Sequence, residues 1–143
     1  MIYSKNINKA LKICFSAHKN QVDKAGVPYV FHPYHLAEMM GDNEDAVIVA
    51  LLHDVVEDTN ITLELLRKCG FNNDVITALD LLTHKNGESY YDYIHNLKNN
   101  RLARQVKLAD LEHNLTNSRL DDGYNPSEAK YTKARKILLE SNI

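Results

Sequence analysis

At 143 residues, with 44% hydrophobic and 25% charged content, the chain has the size and composition of one compact domain with a real core. Its formal net charge of −2 gives no global basis for holding nucleic acid or an anionic membrane, so neither is expected as a partner. No apolar run approaches the ~20 residues that span a bilayer, and MIYSKNINKALKICF lacks the apolar stretch and cleavage site of a secretion signal, so a cytoplasmic location follows by default.

Few segments alternate with period two, whereas many place apolar residues three or four apart, which predicts an all-α protein. The first helix is predicted over about Lys5–Asn20, with Ile7, Leu11, Cys14, Phe15 and His18 turned inward. A loop at about Asp23–Tyr29 contains Gly26 and Pro28. A second helix starts near His32, where Pro33 suits a first turn, and ends at Gly41. A third runs from about Asn43 through Glu57, and a short one covers Leu63–Lys68 and stops at Cys69-Gly70. Cys14 and Cys69 have no CxxC spacing and read as two buried thiols. The next helix spans about Asp74–Thr83. Ser89-Tyr-Tyr-Asp92 has capping-box form and opens a helix to about Leu97. A long helix follows over about Arg101–Asn117. Asn125-Pro126-Ser127-Glu128 opens the last, which ends near Leu139. There is no repeat and no linker, so residues 1–143 are expected to form a single domain.

The chemistry concentrates in ALLHDVVEDT, Ala50–Thr59. At ~100° per residue, His53, Asp54, Glu57 and Asp58 share one sector, opposite Ile48, Leu51, Leu52, Val55 and Val56. Ala46 and Ala50 lie in or beside that sector, and their small side chains leave room above the helix. A solvated helix face would also be polar, but it favours Lys, Glu and Gln. An adjacent His-Asp pair in an apolar run is costly to bury unless it is paired or binds a metal. A mixed nitrogen and oxygen donor set suits manganese, iron or zinc better than calcium.

His-Asp alone is weak and needs further donors. His32, in VFHPYH, is one candidate, with a helix cap or a core position as the alternative. The segment Val106–Leu115 offers another, because Asp110, His113, Asn114 and Asn117 share a face opposite Leu108, Leu111 and Leu115. Aspartate is disfavoured inside a long helix, which makes a site role for Asp110 plausible. Lys24, Arg104 and Lys107 offer positive charge for phosphates, against the alternative of solvated surface side chains. His18 reads as a satisfied core histidine and His35 as a surface one. His113 either orients a carboxylate or pairs locally, Tyr29 is a candidate pocket wall, and His84 and His95 carry no signal.

The order His…His-Asp…Asp resembles the metal-ligand signature of the HD phosphohydrolase superfamily. AHKNQVDKAGVPYVFHP, ALLHDVVEDT and KLADLEHNL, spread from about Ala17 to Asn117, are similar to the hydrolase domain of the RelA/SpoT family and its small stand-alone alarmone hydrolases. The resemblance implies an all-α HD-domain helical bundle that removes the 3′-pyrophosphate of (p)ppGpp, or of a related small phosphorylated nucleotide, with a Mn2+ ion. It implies His32, His53, Asp54 and Asp110 as metal ligands. Glu57 and Asp58 match the acidic pair of the pyrophosphohydrolases, placed to orient a water or move its proton. Lys24 matches a basic residue near the nucleotide, and Asn114 the asparagine that helps to hold the nucleoside.

The chain departs from the family at Asp23-Lys24, where consecutive basic residues are usual, so Asp23 is expected to alter base stacking or repel phosphate. Leu111-Glu112 likewise replaces a basic-apolar pair. The chain ends before a synthetase domain would begin, so pyrophosphate transfer from ATP is not expected. The competing readings are an HD phosphatase acting on another phosphorylated nucleotide or cofactor, and a non-catalytic HD module that senses a nucleotide. None of these readings fixes the oligomeric state.

Overall fold

The computed structural model describes residues 3–120 and 127–140, with side chains described for 3–116 and 127–140. Nine helices are described: α1 (Lys5–His18), α2 (Phe31–Met39), α3 (Glu44–Leu52), α4 (Val55–Asp58), α5 (Leu63–Lys68), α6 (Asn73–Leu82), α7 (Tyr90–Leu97), α8 (Arg101–Leu120) and α9 (Glu128–Leu139). Among the described residues there is no strand, only one antiparallel bridge between Val22 and Pro28, so the all-α expectation holds. The expected start of the last helix at Asn125-Pro126 lies outside the described residues, as does the side chain of Asn117.

Short polar side chains start most of these helices. Ser4, Asn43, Thr62, Asn72 and Ser89 each accept a hydrogen bond from the backbone N–H three residues on, satisfying a donor that the first turn leaves unpaired. Gly70 follows α5 with φ +99°, a conformation that an L side chain resists.

The core is organised around α3. Residues 46 to 52 are buried on every side, and the helix packs against α1, α2, α6 and α8. This corrects one expectation: Ala46 and Ala50 are fully buried, so their small side chains let neighbouring helices approach instead of leaving space for a ligand. Phe15, expected inside, is 63% exposed, because the buried face of α1 runs through Ile7, Ala10, Cys14 and His18. Cys14 is buried, but Cys69 is only partly so.

The predicted third helix is also broken. It stops at Leu52, and a separate turn, α4, begins at Val55. His53 takes the carbonyl of Ala50 with its own ring, Nδ1 to O 2.6 Å, and Asp54 leaves helical geometry at φ −104°, ψ −4°. The wheel that put His53, Asp54, Glu57 and Asp58 in one sector therefore does not survive past His53. The break turns the apolar end of α3 into a platform from which His53 and Asp54 face α2 and α8.

Candidate metal and catalytic site

Helices α2 and α8 supply one wall each. His32 and His35 sit three apart on α2, and Asp110 and His113 three apart on α8, so each pair lies on one helix face. His32 Nε2 is 2.8 Å from Asp110 Oδ1, with 11% and 8% of the two side chains exposed. From the end of α3, His53 Nε2 lies 3.0 Å from Asp54 Oδ2 and 3.6 Å from Asp110 Oδ1.

The tautomer of His53 follows from its Ala50 contact. A carbonyl can only accept, so Nδ1 carries the hydrogen and Nε2 is the free nitrogen of the neutral ring. That Nε2 is buried and makes no hydrogen bond among the described residues, yet it faces two carboxylates. A lone pair aimed at two anions requires a cation between them. Without a metal that cation is a proton: burial opposes a charge on His53, but Asp54 and Asp110 outweigh it and hold the imidazole well above its ordinary value. Burial likewise pushes Asp54 up, but the His53 charge 3.0 Å away and the Tyr29 hydroxyl bring it down to about 2. Asp110 is desolvated too, and Lys107, His32 and His53 together hold it well below the usual carboxylate range.

The residues present fit a divalent metal. One donor atom from each of His32, His53 and Asp110 lies within 4.8 Å of the others. Ligands about 2.1 Å from a shared ion lie at most about 4.2 Å apart, so separations of 2.8 and 3.6 Å need little adjustment. Asp54, the fourth predicted ligand, is not part of that group of three. It stands beside His53, and its Oδ2 accepts the hydroxyl of Tyr29.

Asp110 is the most heavily supported member. Lys107 Nζ reaches its Oδ2 at 3.0 Å, and Asn114 Nδ2 its Oδ1 at 3.3 Å. Lys107 is thus not a solvated lysine; its side chain is 13% exposed and its ammonium lies 5.3 Å from the Tyr93 ring centroid. Arg104 serves the fold, donating from Nε to the Leu138 carbonyl at the end of α9. His113 pairs with an imidazole, its Nδ1 2.6 Å from His32 Nδ1, and the exposed His35 ring lies against it at 4.3 Å.

The acidic pair on α4 is exposed and splayed. Glu57 Oε1 accepts the backbone N–H of His84, in the loop after α6. Asp58 Oδ2 accepts Gln21 Nε2 at 3.3 Å, and Gln21 Oε1 meets His18 Nδ1 at 2.9 Å. Burial raises the Glu57 carboxyl, the His84 N–H opposes this, and Asp54 raises it further. Sequence reading gave no role to His84 or Gln21, because each acts through a partner 27 or 37 residues distant.

Lys24 is exposed in the turn before α2 and has no partner among the described residues. Its neighbour Asp23 is a turn former: Oδ1 accepts the backbone N–H of Ala25 and of Val27, both at 2.9 Å. The expectation that Asp23 acts on the substrate thus has a structural competitor. The same turn delivers Tyr29 to Asp54, since Tyr29 N–H donates to the Gln21 carbonyl at 2.8 Å.

No family model matches the chain. A probable GTP pyrophosphokinase of Mycobacterium leprae is 31% identical over 143 aligned residues, covering 92% of this chain and 18% of the relative. A guanosine-3′,5′-bis(diphosphate) 3′-pyrophosphohydrolase of Borreliella burgdorferi is 30% identical, covering 78% of this chain and 19% of its own length. The same-named protein of Haemophilus influenzae is 32% identical over 72% of this chain and 17% of its own. The chain therefore spans less than a fifth of each of these relatives. A solved metazoan SpoT ortholog, described as hydrolysing ppGpp, superposes with a TM-score of 0.80 at 24% identity, covering 99% of this chain and 89% of that one. Shared fold, shared sequence and the His…His-Asp…Asp order converge: the chain belongs to the HD-type hydrolase domains of the RelA/SpoT family.

Proposed function

We propose that this domain is a manganese-dependent nucleotide pyrophosphohydrolase that removes the 3′-pyrophosphate of (p)ppGpp or a closely related nucleotide. The observation that carries the reading is the convergence of His32, His53 and Asp110 from α2, the end of α3 and α8 on one point, with Glu57 and Asp58 on the short helix α4 that follows His53 and Asp54. The named relatives supply the substrate class.

In this reading His32, His53 and Asp110 would hold the ion, with the Asp54 carboxylate beside them as the fourth member of the site. The ion would neutralise a phosphate oxygen and acidify water in its coordination sphere. The remaining work falls to the chain. Lys107 and Asn114 fix the Asp110 carboxylate so that it enters the site in one orientation. Glu57, with its raised affinity for a proton, takes the proton of the attacking water, while Asp58, tethered by Gln21, orients that water. Water oxygen bonds to phosphorus, the bond to the ribose 3′-oxygen breaks, and that oxygen takes up a proton. Lys24 contributes charge towards the phosphates. Asn114, beside Asp110, would help to hold the nucleoside.

The proposal covers residues 1–143 as one domain with a small nucleotide as partner, in the cytoplasm. No helix among the described residues is long and apolar enough to cross a membrane. The test is a screen of the purified protein, supplemented with Mn2+, against ppGpp, pppGpp, GDP, GTP and dinucleotide cofactors, with products identified by mass. Pyrophosphate and a nucleotide with a free 3′-hydroxyl are expected from ppGpp. Cleavage of another panel member alone would move the assignment to an HD phosphatase. A raised melting temperature without cleavage would move it to a sensor.

A further inference from the structure

We infer that His113 is a positioning residue for the metal: it accepts the Nδ1–H of His32 and so holds the His32 Nε2 lone pair towards the ion. The inference rests on the metal-site reading above but not on the identity of the substrate.

The geometry is that of an in-plane imidazole–imidazole hydrogen bond. The two Nδ1 atoms are 2.6 Å apart, the ring centroids 4.9 Å apart, and the ring planes within 12° of parallel. Each ring nitrogen lies about 1.1 Å from its centroid, so rings joined edge to edge by this contact would place their centroids about 4.8 Å apart. The observed separation matches that arrangement and leaves no room for one ring to lie over the other. Two imidazole nitrogens can approach this closely only if one carries a hydrogen and the other a lone pair.

The direction of the bond is set by what lies on the far side of His32. Its Nε2 is 2.8 Å from Asp110 Oδ1 and belongs to the group that gathers around the candidate ion. Without an ion the Asp110 contact needs a hydrogen on Nε2; a nitrogen that donates its lone pair to a metal cannot keep one, so in the metal-bound protein the hydrogen of His32 sits on Nδ1. His113 Nδ1 must then be the acceptor. Metal-binding histidines generally donate their second nitrogen to a carboxylate, a carbonyl or a water, and here a neutral imidazole takes that place. The arrangement is braced on both helices. His32 and Asp110 touch, His32 and His113 touch, and His35 lies against His113 with ring centroids 4.3 Å apart. The histidines on α2 and the aspartate and histidine on α8 therefore interlock, and a sliding of α2 against α8 would break all three contacts together.

The test uses the purified, metal-stripped protein and MnCl2 alone, with affinity read by titration calorimetry. The acceptor is removed in His113→Leu and restored in His113→Asn, whose Oδ1 stands close to where Nδ1 stood. Supporting orienting partners of metal ligands typically carry a 10–100-fold effect on affinity. His113→Leu is expected to weaken Mn2+ binding by about that factor, and His113→Asn to recover most of it. Lost packing alone would weaken both variants alike, and that result overturns the inference. Long-range nitrogen–proton NMR of the wild type loaded with diamagnetic Zn2+ gives a readout independent of how the variants fold: His32 should carry its hydrogen on Nδ1. A hydrogen on Nε2 would equally overturn it. A wild type that binds neither ion removes the metal-site reading itself, and this inference with it; a wild type that binds while the variants bind equally removes this inference only.

Discussion

The hydroxyl of Tyr29 donates to the carboxylate of Asp54, the one predicted metal ligand that is not gathered with the other three. Tyr29 reaches this position from the turn closed by Asp23, so a loop residue completes the coordination of a residue at the end of the central helix. Burial pushes the Tyr29 hydroxyl far above its ordinary value, and the Asp54 charge adds to this, so the phenol stays a donor throughout the neutral range.

The first prediction follows from that bond. Tyr29→Phe leaves Asp54 short of a donor at a site where only 20% of its side chain is exposed. Without metal the variant should lose about 1–3 kcal/mol in urea denaturation, the typical cost of an unmet buried acceptor. A divalent ion supplies the missing positive charge, so Mn2+ should stabilise the variant more than the wild type. Equal stabilisation of both proteins would mean that Asp54 does not turn to the ion.

Proton linkage gives a second prediction, for the metal-free protein. His53 is raised in the fold, so its contribution is fully present below its unfolded value of about 6.5 and is lost as pH rises through its higher folded value. Asp54 is lowered to about 2, so its contribution is present above about pH 3.9 and is lost as pH falls towards 2. Metal-free stability should therefore peak between about pH 4 and 6.5. The same proton must leave when His53 Nε2 binds an ion. Calorimetric titration of Mn2+ at pH 7, in two buffers of different ionisation enthalpy, should show release of about one proton. Heats that do not depend on the buffer would contradict a charged His53.

How far this site could be read from sequence depends on chain distance. His32, His53 and Asp110 were legible because each carries a costly residue type at an apolar or helical position. Their meeting was implied by the resemblance of the His…His-Asp…Asp order to the HD superfamily. The break after Leu52 was not legible, because a helical wheel assumes that the backbone continues and cannot see a side chain capping its own helix. For the same reason Ala46 and Ala50 were assigned to the site when they serve the packing of α3. Tyr29 was marked as a pocket wall, but its bond to Asp54, like the roles of Gln21 and the His84 backbone, was beyond reach, since nothing local marks a hydrogen bond to a residue 25 to 37 positions distant. Ser89 and Asn43 were easier, because an N-cap finds its partner three residues on.

The pair Lys107 and Asp110 gives a third prediction, an asymmetry. Lys107→Met leaves Asp110 with His32 and Asn114 as partners. Asp110→Asn leaves an ammonium that is 13% exposed without its anion. Removing one member of a buried pair typically costs about 3–5 kcal/mol, so Asp110→Asn should approach that range in the presence of a chelator. Lys107→Met should lose less, and Mn2+ should recover part of its loss by replacing the missing cation. Loss of Mn2+ binding is expected only for Asp110→Asn. Equal destabilisation in the two variants would show that Lys107 holds Asp110 as much as Asp110 holds Lys107.

The last prediction separates the two carboxylates on α4. Glu57 and Asp58 are adjacent in sequence, but the backbone of His84 anchors one and the side chain of Gln21 the other. Neither contacts His32, His53 or Asp110 in the described hydrogen bonds, so Glu57→Gln and Asp58→Asn should both keep Mn2+ affinity within a few-fold of wild type. Their effects on turnover should differ. If Glu57 moves the proton, Glu57→Gln lowers kcat by about 10²–10⁴ and abolishes the acid limb of the pH–rate profile, because an amide cannot take up a proton. If Asp58 only orients the water, Asp58→Asn lowers kcat but leaves that limb in place, and Gln21→Ala, which releases Asp58, should reproduce a milder form of the same defect. Full turnover in Glu57→Gln would sink the proton-transfer role. An acid limb lost in Asp58→Asn and kept in Glu57→Gln would exchange the two assignments.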